Sequence, residues 1–205
     1  MRTGIILAAI AIMSVSEAPS AHADGWFFSE GFGSSEVSGD LGEVVDGAAN
    51  VRIAIGRRMG HWALEGFVMG NIMNGAGPLA GGLDSATSYG LSARYNFPLS
   101  NRFELYLRGG LHKMRLDVDS REFGSGDDFS GRAFHYGAGA MMKGKVPVLG
   151  LLFLPLLLTD YGPKVTGSLW VETSQQFSRL HHSSFNSVDA NIKSWTMGFS
   201  LGSDF

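Results

Sequence analysis

From Gly25 onward the apolar residues of this chain recur at every second position. The final segment shows it best: Trp195, Met197, Phe199 and Leu201 alternate with Ser194, Thr196, Gly198, Ser200 and Gly202, and Phe205 follows. A period of two gives a β-strand one bulky apolar face and one small or polar face. Val51, Ile53 and Ile55 repeat the pattern, as do Trp62, Leu64 and Val68 against Glu65 and Asn71. Tyr89 to Phe97, Phe103 to Leu111, Phe134 to Met142 and Leu169 to Phe177 alternate in the same way. With a first strand near Trp26 to Gly33, the pattern predicts eight strands.

The predicted connections alternate in length. Short turns fall near 58–61 and 98–102, whereas 34–47, 73–86, 119–131 and 179–191 read as long polar or glycine-rich loops. Short turns on one rim and long loops on the other suit an outer-membrane barrel. An open sheet would leave backbone groups unpaired in hydrocarbon, so the strands must close. The expected fold is all-β, an eight-stranded antiparallel up-and-down transmembrane β-barrel, whose interior is just wide enough for side chains to fill. One connection breaks the pattern. Val146 to Leu158 is almost wholly apolar, yet too short to span as a helix and interrupted by Pro147 and Pro155. It reads as an interfacial segment or strand extensions, with a docking surface for a membrane protein as the alternative.

Composition supports this picture. Of 205 residues, 44% are hydrophobic and 29 are glycine, which excludes disorder and favours strands and turns. A net charge of −3 gives no reason to expect nucleic-acid binding, and the absence of cysteine rules out a disulfide or thiolate metal site. At the N-terminus, Arg2, the apolar stretch Gly4 to Met13 and Ala21-His22-Ala23 read as a Sec-type signal peptide over 1–23. That leaves 24–205 as the barrel domain.

These residues resemble the small eight-stranded outer-membrane proteins of the OmpA/OmpX type, over roughly Trp26 to Phe205. The most specific element is the last strand, where Met197, Phe199, Leu201 and Phe205 are similar to the signal read by the barrel-assembly machinery. Ser203 departs from it, since an aromatic is common there. The resemblance implies insertion by that machinery after periplasmic chaperoning.

If the apolar face meets lipid, the opposite face points inward. It carries Arg52, Glu65, Arg94, Glu104, Arg108, His135 and Glu172. Three arginines and three glutamates nearly cancel, and charges in a narrow lumen must pair. They read as a salt-bridged polar plug, with a narrow ion path as the alternative. In the last loop, His181/Ser183 and His182/Ser184 have a spacing that resembles outer-membrane lipid A deacylases, where histidine activates a serine nucleophile. Such enzymes also need an acid in the final strand. Lys193 to Leu201 has none, and only Asp189 lies near.

Asp40, Glu43 and Asp46, and Asp117, Asp119, Glu122, Asp127 and Asp128, collect in loops without the spacing of a calcium site. Trp26, Trp62, Trp195, Tyr89, Tyr95 and Phe205 read as interface girdles. No metal or cofactor is expected. The expected partners are outer-membrane lipid or lipopolysaccharide, the assembly machinery and a surface or periplasmic protein. The function expected is structural or surface interaction through external loops. A lipid A-modifying hydrolase, a small-solute pore or binding barrel, and a soluble periplasmic barrel are the rivals.

Overall fold

The computed structural model describes residues 24–43, 45–75, 83–118, 127–147, 164–181 and 187–202. The leader expected over 1–23 and the terminal Phe205 lie outside them. Eight antiparallel strands form one closed barrel: β1 (Asp24–Gly39), β2 (Val45–Met59), β3 (Trp62–Gly75), β4 (Leu83–Pro98), β5 (Phe103–Val118), β6 (Asp127–Pro147), β7 (Lys164–Leu180) and β8 (Val188–Gly202). Each strand pairs with its sequence neighbour, and β8 closes on β1 from Phe27↔Gly202 to Gly39↔Ala190. No strand edge is left open.

Turn chemistry fixes the short connections. Gly60 has φ +61° between the paired Met59 and Trp62, a conformation that glycine adopts without strain. At the β4–β5 turn, Ser100 Oγ accepts hydrogen bonds from the Arg102 and Phe103 amides.

Outward side chains in the body of the barrel are mostly large and apolar, with Glu30 and Arg57 the charged exceptions; Leu91 and Leu111 are each 73% exposed. A continuous apolar belt of this kind is incompatible with water and requires lipid. At the turn end, Trp62 packs edge-on against Tyr95, and Tyr95 against Phe97. Toward the opposite end stand Trp195, Tyr89 and the stacked rings of Phe134, Phe177 and Tyr136.

The expected long loops need correction. β1 runs to Gly39 rather than Gly33, followed by a single 3-10 turn at Asp40–Glu43, and β2 begins at Val45. The other strands likewise reach Gly75, Leu83, Val118, Asp127, Leu180 and Val188. The cause is an inversion of polarity along each strand. On β8, outward Phe199, Met197 and Trp195 give way to Lys193, while inward Thr196 and Ser194 give way to Ile192 and Ala190. The alternation continues, but above the lipid the apolar side turns inward, so the segments read as polar loops. Val146 and Pro147 belong to β6, paired with Val165 and Lys164. The rest of that apolar run lies outside the described residues.

Candidate functional site

Arg52, Glu65, Arg94, Glu104, Arg108, His135 and Glu172 all point into the barrel and are buried. Even positions on β2, β4, β5 and β7 and odd positions on β3 and β6 face inward, which brings these side chains together from six strands. Glu65 is the hub. Its carboxylate lies 2.7 Å from Arg52, 3.3 Å from Arg94 and 3.6 Å from Arg108. Arg108 then reaches Glu172 at 2.9 Å. Glu104 forms a separate layer nearer the short turns.

That second layer holds two residues the sequence reading missed. Arg58 makes two hydrogen bonds to Glu104, at 2.8 and 2.9 Å, and Lys143 reaches the same carboxylate at 2.7 Å. Arg58 was read as part of a turn, yet it continues the even-numbered inward set of Arg52 and Gly56. Lys143 continues the odd set of His135 and Met141. The balance expected between three arginines and three glutamates is therefore corrected: five cations face three carboxylates, an excess of two positive charges among the described interior residues.

Aromatic faces absorb part of that excess. The Arg94 guanidinium lies 5.0 Å from the Phe27 ring centre and 5.2 Å from that of Tyr106, and Arg52 lies 5.2 Å from Phe67. Among the described residues, Arg94 Nε and Nη2 and Arg52 Nη1 have no hydrogen-bond acceptor, and the rings stand beside these guanidiniums as electron-rich neighbours. Above the ions, His112 and His135 bring their Nδ1 atoms to 3.3 Å, with Phe67 edge-on to both rings. No three His, Asp or Glu side chains among the described residues converge as a metal site.

The mouth away from the short turns is filled differently. Ser35 Oγ links Asn50, Asn71 and Ser194 in a small polar layer. Beyond it, Leu41, Val45, Met73, Met114, Leu116, Leu180 and Ile192 form an apolar cluster. The interior thus has ion pairs below and a hydrophobic stopper above.

The outer rim is charged on its outside. Lys113 of β5 stands directly opposite Arg132 of β6, and both are exposed. Tyr89 flanks Lys113 on β4, and Arg179 follows on β7 one residue past the Ala133–Ser178 pair. Arg179 has its own acid: Asp189 accepts bonds from Nε at 2.9 Å and Nη2 at 3.3 Å, which holds the Asp189 carboxyl below its ordinary range. Arg115 likewise meets Asp117 at 3.0 Å. Lys113 and Arg132 have no acid within ion-pair distance among the described residues.

His182 and Ser184 lie outside the described residues, as do Ser183, Asp119 and Glu122. His181 is described and bridges its backbone to Ser130. Phe199 and Leu201 point outward in β8.

The sequence pattern of the outer membrane protein β-barrel domain matches residues 5–143. The chain belongs to that family. Like the barrels that give the family its description, it is an outer-membrane protein, located there by its strands. Among solved structures, Neisserial surface protein A (NspA) is similar at 14% identity, with 88% of this chain and 97% of that one covered and a TM-score of 0.58. Ail, the attachment invasion locus protein of Yersinia pestis, solved in complex with the heparin analogue sucrose octasulfate, is similar at 15% identity, covering 87% and 98%, with a TM-score of 0.51. At these identities the likeness is one of fold. Among curated proteins, none matches.

Proposed function

We propose that this family member is a non-enzymatic surface barrel whose outer rim holds the phosphate or sulfate groups of anionic glycans, with lipopolysaccharide its resident ligand. The opposed pair Lys113 and Arg132 carries the reading. Like charges directly across a strand pair are destabilising, and an anion held between them removes the repulsion and adds charge-assisted hydrogen bonds. Tyr89, at the edge of the lipid belt, marks the height at which a lipid phosphate would meet them. Binding of a polysulfated sugar by Ail, a barrel of the same fold, supports the same chemistry for this rim.

The interior serves as a rigid plug rather than a pore: its ion pairs and apolar stopper fill the space a solute would need. The deacylase alternative needs an acid to orient histidine, and Asp189 already accepts both bonds from Arg179. Residues 1–23 act as the export leader, and Phe199, Leu201 and Phe205 are read by the assembly machinery.

Two titrations test the rim. Wild type and Lys113→Gln/Arg132→Gln are placed in nanodiscs and titrated with sucrose octasulfate, and lipopolysaccharide retained through purification is measured separately. The double variant is expected to lose about tenfold or more in affinity, since each charge-assisted bond is worth about 1.5 kcal/mol. Loss in the first arm alone identifies a soluble glycan; loss in both identifies the lipid. Unchanged binding in both arms refutes the rim. Mass spectrometry of lipid A tests the enzyme: an acyl chain lost only when His182 and Ser184 are intact would overturn the non-enzymatic reading.

A further inference from the structure

The surplus positive charge of the interior can be traced to one side chain. In the hub layer Arg52, Arg94 and Arg108 share Glu65 and Glu172, so three cations meet two carboxylates. Glu104 does not supply the difference, because Arg58 and Lys143 already divide it. A guanidinium keeps its proton even when buried. Among the described residues, one cation of this layer therefore has no carboxylate of its own.

That cation is Arg94. It is the largest fully buried side chain among the described residues. Its ion pair runs through Nη1 to Glu65 at 3.3 Å, while Arg52 holds the same carboxylate at 2.7 Å. Nε and Nη2 have no acceptor among the described residues. These two nitrogens form one edge of the guanidinium, the edge whose parallel N–H bonds grip an anion in bidentate fashion. Two further buried donors of the same region are unpartnered: Arg52 Nη1, and the hydroxyl of Ser92 at the next inward position of β4. The rings of Phe27 and Tyr106 attract the Arg94 guanidinium but carry no net charge, so they soften the imbalance without removing it.

We propose that the barrel interior binds one small monovalent anion, of the chloride type, on the Nε–Nη2 edge of Arg94. A water molecule there would satisfy the donors and leave the charge, whereas an anion does both. The layer lacks one negative charge, which fixes the valence. The size follows from the barrel: eight strands enclose a space just wide enough for side chains, which suits a monatomic ion and excludes a sugar phosphate. Three guanidiniums then have three anionic partners, and the ion becomes part of the plug. The site is independent of the rim, whose basic residues stand on the outside of the barrel.

The test varies the anion alone. The full barrel is refolded into phosphatidylcholine vesicles in sodium bromide, chloride or gluconate at one ionic strength, and urea unfolding is read by heat-modified migration. Bromide and chloride should raise the midpoint over gluconate, which is too bulky for the interior, and the rise should level off with concentration as a single site requires. Lys113→Gln/Arg132→Gln should show the same rise. Arg94→Met, which removes the surplus cation together with its edge, should abolish it. Crystals of the wild type grown in bromide give a second measurement that depends on no variant's folding: an anomalous peak beside Arg94 Nε and Nη2. The proposal is overturned if halide and gluconate give one midpoint, if the rise survives Arg94→Met, or if bromide peaks lie only on the outer surface.

Discussion

The indole of Trp170 lies in a hollow formed by Gly198 and Gly31, the next two inward positions along the same row of β7, β8 and β1. A Cβ on Gly198 would fall 2.6 Å from Trp170 Cζ2, and one on Gly31 2.7 Å. Phe27 covers Gly56 and Tyr106 covers Gly139 in the same manner. These ring-over-glycine contacts account for part of the high glycine content: they let an eight-stranded barrel hold aromatic rings in so narrow an interior.

Gly198→Ala should destabilise the barrel by about 1–3 kcal/mol, the range for overpacking a filled core. A lowered temperature of heat-modified migration would reveal it. Trp170→Leu combined with Gly198→Ala should recover part of the loss, because the ring is one of the atoms in the way.

Gly60→Ala isolates a different effect. Nothing lies within 4 Å of a Cβ there, so only the φ of +61° opposes the side chain. The expected loss is about 1 kcal/mol, without altered packing. Urea unfolding in lipid vesicles would show a shifted midpoint with unchanged slope.

Glu65→Gln should be the most damaging single change among the ions. It removes the carboxylate shared by Arg52, Arg94 and Arg108, leaving Glu172 to serve three buried guanidiniums. Breaking a buried pair costs about 3–5 kcal/mol, and here several contacts go together. Arg58→Gln should cost less, since Lys143 still meets Glu104. Equal losses from the two variants, measured by urea unfolding, would contradict the hub.

Leu180→Ala, at the fully buried top of β7, should cost about 2–5 kcal/mol by the cavity it leaves. It should not produce ion conductance, because the polar and ionic layers beneath it remain. Planar-bilayer recording separates these outcomes: discrete steps in this variant would place the only barrier at the mouth.

Much of the fold was legible because one physical rule, alternate faces in alternate solvents, runs through every strand. Strand number and parity follow from it, and so does the inward direction of Glu65 or Arg108. Arg58 escaped notice because a neighbouring glycine resembled a turn signal, although parity alone would have placed it. The partners were less legible than the directions. Which arginine meets which glutamate depends on shear between strands, and no spacing within one strand records that. The upper strands were misread for a related reason: Arg179 and Asp189 look like loop residues until the inward Leu180 and Ala190 beside them are seen to form a core.

That upper core has a consequence for recognition. Strands that stay paired above the hydrocarbon make a stiff collar, rising about 2.5 Å per residue for a tilted strand. Between β1 and β2 only residues 40–44 are left to connect it. Groups mounted on such a collar, Lys113 and Arg132 among them, surrender little conformational freedom when something binds. Their selectivity is then set by fixed spacing, and a polyanion must fit that spacing to gain from it.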